Sequence, residues 1–103
     1  MIVKGTRNTS GDGTVVASAD PATNRLVVGP FLQLQNKGAA DVNVKLKLGT
    51  REIYDVLLEP KVAVLITDFA NEAGAGSEDE DLYVNLDSSV AVYYQIQVRE
   101  ITF

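Results

Sequence analysis

Residues 41–49 read DVNVKLKLG. Val42, Val44, Leu46 and Leu48 point one way, and Asn43, Lys45 and Lys47 point the other. Successive side chains of a strand leave opposite faces of a sheet, so a period of two marks a half-buried β-strand with one wet face. Gly38 and Gly49 flank the run as turn residues.

The same period extends outward in both directions. In FLQLQN (31–36), Leu32 and Leu34 oppose Phe31, Gln33 and Gln35. Leu48-Gly49-Thr50 makes a tight connection into REIYDVLL (51–58). There Ile53 and Val56 fall out of step, which predicts a bulge or a change of face near Asp55. Pro60 breaks the run, because proline has no N–H to give a central ladder. VAVLITDF (62–69) is continuously apolar and is expected to be covered on both faces at its middle. LYVNL (82–86) sets Leu82, Val84 and Leu86 against Tyr83 and Asn85. VAVYYQIQVREITF (90–103) is expected to be the longest strand, with Val90, Val92, Tyr94, Ile96 and Val98 on one face. Ala91, Tyr93, Gln95, Gln97 and Arg99 share its other face.

TVVASA and RLVVG flank the turn-rich residues 20–24 and read as a weaker hairpin. Residues 1–13 read as an N-terminal arm or loose lead-in, leaving 14–103 as the folded domain. A short helical turn has one candidate place, residues 68–75. Seven or eight short strands between turn signals predict an all-β chain, a single-domain antiparallel β-sandwich or jelly roll.

Composition narrows the function. A chain of 103 residues, 46% apolar, is one domain with a modest core. No apolar run is long enough to span a bilayer as a helix, and residues 1–13 lack the apolar stretch of a secretory signal. The formal charge is −5 and the nine basic residues are scattered, which argues against nucleic acid and anionic membrane as partners. The chain has no Cys and no His. Disulfides, thiol catalysis, thiolate or imidazole zinc sites and histidine bases are therefore excluded. An enzyme built here would run on carboxylates, Tyr, Lys or a Ser/Lys pair. The acids Asp55, Glu59, Asp68 and Asp87 fall at expected strand ends or turns, where such residues are ordinary. The expectation is a non-enzymatic protein without a cofactor.

Two groups of residues remain as site candidates. In GAGSEDEDLYVNL (74–86), Glu78, Asp79, Glu80 and Asp81 are consecutive. Calcium needs six to eight oxygens converging from a loop, whereas consecutive side chains splay apart. The main reading is a solvated loop that keeps a sheet edge from pairing, with a structural cation site as the weaker alternative and catalysis the weakest. Tyr83, Tyr93, Gln95, Gln33 and Gln35 are the partner-binding candidates. Aromatic residues favour strands in any case, and Tyr83 and Tyr93 could also stack on a sugar. Uncharged glutamine faces suit a sheet surface that meets another protein better than one facing bulk water.

The order of these parts resembles a known family. The parts are Asn36-Lys37-Gly38-Ala39-Ala40-Asp41 running into Val42–Thr50, the Val56-Leu57-Leu58-Glu59-Pro60-Lys61 step, the acidic-flanked Leu82–Val92 segment and the Tyr94–Val98 ending. Together they resemble small β-sandwich proteins encoded among the structural genes of tailed bacteriophages, over about three quarters of the chain, residues 28–103. The Glu59-Pro60-Lys61 step departs from the glycine-containing turn of that family. The resemblance implies a virion protein assembled in the host cytoplasm, most simply a decoration or cement protein on the outer surface of the head. Its implied partners are the major capsid protein or another virion protein and further copies of itself, a symmetric trimer being the expected oligomer. The rival reading is a carbohydrate- or receptor-binding module of a tail fibre or cell surface.

Overall fold

The structure, a computed structural model, describes residues 1–17, 24–69 and 81–102. These residues form eight strands and no helix. They are β1 (Ile2–Arg7), β2 (Gly11–Val16), β3 (Asn24–Asn36), β4 (Val42–Leu48), β5 (Arg51–Leu58), β6 (Ala63–Ile66), β7 (Leu82–Leu86) and β8 (Val92–Thr102). One four-stranded sheet, sheet A, has the order β1-β8-β3-β6, and the other, sheet B, the order β2-β7-β4-β5. Every strand pairing is antiparallel. The two orders interlock as two wrapped Greek keys, which is the jelly-roll form of the β-sandwich.

The alternation read in the sequence builds the core directly. Val42, Val44, Leu46 and Leu48 of β4 are buried, while the residues between them are half-exposed. Leu82, Val84 and Leu86 of β7 do the same beside them. From the facing sheet, Val28, Leu32 and Leu34 of β3 and Val92, Ile96 and Val98 of β8 close the layer. Each of these side chains contributes about 1.5–3 kcal/mol of transfer free energy on burial. Tyr54 of β5 meets Phe69 edge to face, with ring centroids 5.7 Å apart, beside the same core.

Two glycines take conformations that other residues resist. Gly49 has φ 62° in the tight β4–β5 turn, and Gly29 has φ 114° where the β3–β8 register shifts between Val28 and Leu32. Both values lie where a Cβ is disfavoured, so glycine is the residue that fits.

Several expectations are corrected. Residues 1–13 are not a loose lead-in: β1 is an edge strand of sheet A, paired with β8 from Ile2 to Arg7, and β2 pairs with β7. The sandwich therefore begins at residue 2, not at 14. The stretches TVVASA and RLVVG do not form a hairpin, because β2 belongs to sheet B and β3 to sheet A. A connection that crosses between sheets carries the same turn residues as one that returns along the same sheet. The longest strand is β3, with 13 residues against 11 for β8, since β3 continues through Gly29 and Pro30. The run 62–69 is not covered on both faces. β6 spans four residues, and only Val64 and Ile66 turn toward the core. The irregularity expected near Asp55 falls at Ile53, where Tyr54 and Glu52 oppose the adjacent residues Leu46 and Lys47. Of the helical turn considered at 68–75, residues 70–75 lie outside the described residues.

Candidate functional site

Pairing places four of the five partner-binding candidates on one surface. Paired residues of neighbouring strands put their side chains on the same face. Across sheet A, Lys4, Gln95, Gln33 and Leu65 form one row, and Thr6, Tyr93, Gln35 and Ala63 form the next. Ile2 and Gln97 begin a third row. This is the outer face of the sheet, because Leu32, Leu34, Val92 and Ile96 fill the inner one. The Tyr93 hydroxyl donates to Gln95 Oε1 at 3.1 Å, which fixes the two side chains against each other. Lys4 is the one charge in these rows and sits on the edge strand; Arg99 lies farther along β8. Leu65, 62% exposed, and Ile2 add apolar area at opposite margins.

Tyr83 stands apart from this group. It is on β7 in sheet B, between Thr14 and Lys47. That outer face is charged and already self-paired. Lys47 Nζ bridges Asp12 at 3.2 Å, and Lys45 Nζ bridges Glu52 at 3.0 Å. Asn85 Nδ2 donates to Asp12 Oδ1 at 2.7 Å, and Asn43 Nδ2 to Asp55 Oδ1 at 2.6 Å. The Asn85 hydrogen bond, with help from Lys47, holds the Asp12 carboxyl below the usual aspartate range. Solvated pairs of this kind keep a surface wet and soluble. The sandwich thus has a charged back and an almost uncharged front, although the chain carries a net charge of −5.

The rest of the candidate chemistry does not gather. Glu78, Asp79 and Glu80 lie outside the described residues. Asp81 is half-buried just before β7, and its main-chain carbonyl accepts from Gly49 N at 3.0 Å. Among the described residues, no group of three or more acids could hold a metal ion, and the surface has no pocket. Of the turn acids, Asp87 accepts from the Asn43 main-chain N–H at 2.9 Å through Oδ1, and Asp55 is held by Asn43. Both act as clips of sheet B.

The sequence reading missed two features. Ile2, Lys4 and Thr6 belong to the front face, but residues 1–13 read as an arm in the sequence, which gives their alternation no sheet to join. Asn36 is the one fully buried polar side chain among the described residues. Its Nδ2 donates to the carbonyls of Ala40 at 2.7 Å and Leu58 at 3.0 Å, and its Oδ1 accepts from Gly38 N at 2.8 Å. The signal was present: Asn36 shares the inward parity of Leu32 and Leu34, and a polar residue in an apolar register needs partners. Asn36 shapes the crossing from sheet A to sheet B and touches no exposed face.

In comparison with known proteins, no family model, curated protein or solved structure matches the chain.

Proposed function

We propose that the protein is a non-enzymatic virion structural protein, a decoration or cement protein that binds the outer surface of a tailed-phage head. The observation that carries this reading is the contrast between the two outer faces. The front of sheet A joins Tyr93, Gln95, Gln33 and Gln35 with exposed Leu65 and Ile2, while the back of sheet B carries two ion pairs and two Asn–Asp hydrogen bonds. The centre of a protein interface is depleted of charge and enriched in tyrosine, and glutamine amides can both donate and accept. A rigid sheet presents such a face at little entropic cost. The fold alone argues no function, because jelly rolls serve many. The phage assignment rests on the family resemblance, and the face supplies the physical means of binding.

The carbohydrate-binding alternative loses its simplest form. Tyr83 and Tyr93 lie on different sheets and face away from each other, so one glycan cannot stack on both.

Co-sedimentation with heads isolated from the phage that encodes the chain tests the proposal. Saturable binding, together with the chain's presence in purified particles by mass spectrometry, is expected. No binding, and particles that lack the chain, would overturn it.

A further inference from the structure

Four strands end the two sheets, and three of them carry features that discourage pairing with another chain. β1 holds Lys4, Gly5 and Arg7. β2 holds Gly11, Asp12 and Gly13, and its register shifts between Thr14 and Val16. β5 holds Arg51, Glu52 and Asp55, and it bulges at Ile53. Charge and bulges are among the means by which exposed edges are kept from pairing. β6, though only four residues long, carries neither. Residues 62–67 read VAVLIT, without charge, glycine or proline, and among the described residues β6 pairs with β3 alone.

The ladder with β3 fixes which backbone groups of β6 face outward. Asn36 N donates to Val62 O at 3.0 Å, so Asn36 and Val62 form a hydrogen-bonded pair. In antiparallel pairing such pairs alternate with unbonded ones, so Leu34–Val64 and Leu32–Ile66 are bonded in the same way. Ala63 and Leu65 occupy the unbonded positions opposite Gln35 and Gln33. Their N–H and C=O groups project to the free side of the strand.

We propose that β6 is a self-association strand, on which a second copy of this chain lays its own β6 antiparallel to make one continuous sheet from the two sheets A. Ala63 of one copy then faces Leu65 of the other, twice, giving four main-chain hydrogen bonds about a two-fold axis at Val64. The small Ala63 side chain leaves room for the exposed Leu65 side chain beside it. The occupant is a second copy because the strand is neutral, and two molecules of charge −5 must meet where charge is least. The antiparallel sense follows from the flanks. Lys61 precedes the strand and Asp68 follows it, so antiparallel pairing brings opposite charges together and parallel pairing brings like charges together. Both residues are exposed, and Lys61 Nζ reaches the Lys37 carbonyl at 2.8 Å. The assembly is two-fold, in place of the threefold one the family resemblance implies, and it stands independently of what the front face binds.

Sedimentation equilibrium of the purified chain over ~1 μM to ~1 mM tests this. The mass is expected to rise toward two copies. Ala63→Pro removes an outward N–H and leaves the β3 ladder whole, so it is expected to stay monomeric with a melting midpoint near that of wild type. Leu65→Lys, which keeps the N–H but sets a charge beside the seam in each copy, is expected to weaken the dimer about tenfold. A chain that stays monomeric throughout overturns the proposal, as does a trimer, or a dimer that survives Ala63→Pro unchanged. If Ala63→Pro unfolds the chain, Leu65→Lys alone decides between these outcomes.

Discussion

Replacing Asn36 by alanine removes three hydrogen bonds at one stroke. The amide donates to the carbonyls of Ala40 and Leu58 and accepts from the Gly38 N–H, and the side chain is fully buried. Each such bond contributes about 0.5–1.5 kcal/mol net, and a buried group left without its partner costs about 1–3 kcal/mol. The Leu58 carbonyl is the buried member of the set. The expected loss is about 3 kcal/mol, against a total stability of about 5–15 kcal/mol for a domain of this kind. At about 4–8 °C per kcal/mol, the melting midpoint falls by on the order of 15 °C. Asn36→Asp separates hydrogen bonding from volume. It keeps the acceptor for Gly38 but points a second oxygen at two carbonyl oxygens. Burial and that repulsion raise its folded-state pKa above the unfolded value of about 3.9. The folded state of this variant then binds the extra proton, so its stability falls as pH rises through that window. At neutral pH it is expected to be less stable than Asn36→Ala, and to recover part of the difference on acidification. Thermal melts followed by circular dichroism at several pH values read all of this. A shift of less than about 4 °C for Asn36→Ala would refute the view that Asn36 pins the crossing between the sheets.

Other outcomes follow from the same contacts. Gly13→Ala places its Cβ in the space of the Arg7 guanidinium, whose Nη2 donates to Thr9 O at 2.7 Å, so the guanidinium must swing away and a loss of about 0.5–1.5 kcal/mol, that of the hydrogen bond, is expected. In an Arg7→Ala background that loss should largely vanish, which a double-mutant cycle in urea measures. Leu46→Ala, at the centre of sheet B and fully buried, is expected to cost about 2–5 kcal/mol in the same assay. Asp12 titrates below its ordinary value, so it contributes stability above the unfolded pKa and loses it as pH falls through the folded one. The melting curves of wild type and Asp12→Asn should therefore converge below about pH 4, and a gap that persists unchanged there would contradict the assignment.

Much of the fold was legible because alternation is local. DVNVKLKLG, LYVNL and the Val92–Val98 run gave their inward and outward faces correctly, since a buried face and a wet face leave a period of two. What a strand pairs with is not local. β2 and β3 are neighbours in the chain yet lie in different sheets, and β1 finds β8 at the far end of the sequence. That is why an edge strand reads as an arm, and why outward parity alone does not separate Tyr83 from Tyr93. The grouping of Tyr93, Gln95, Gln33 and Gln35 was legible in part. Each outward parity was visible, but their union on one face depends on the β3–β8 register. The exposed side of β6 was hidden by composition, because an apolar run reads as buried whether it lies at the centre of a sheet or at its edge.

The most direct test of the account is a comparison of two charge insertions on opposite faces, read by co-sedimentation with heads. Gln33→Lys combined with Gln95→Lys puts two cations on the front of sheet A, and Tyr83→Lys puts one on the back of sheet B. All three positions are half-exposed, so folding should survive in both variants, as melting curves verify. The account predicts that the front-face pair loses head binding by tenfold or more, the order of an interface hot spot, while Tyr83→Lys binds as wild type does. Binding that survives the front-face pair and fails with Tyr83→Lys would contradict it.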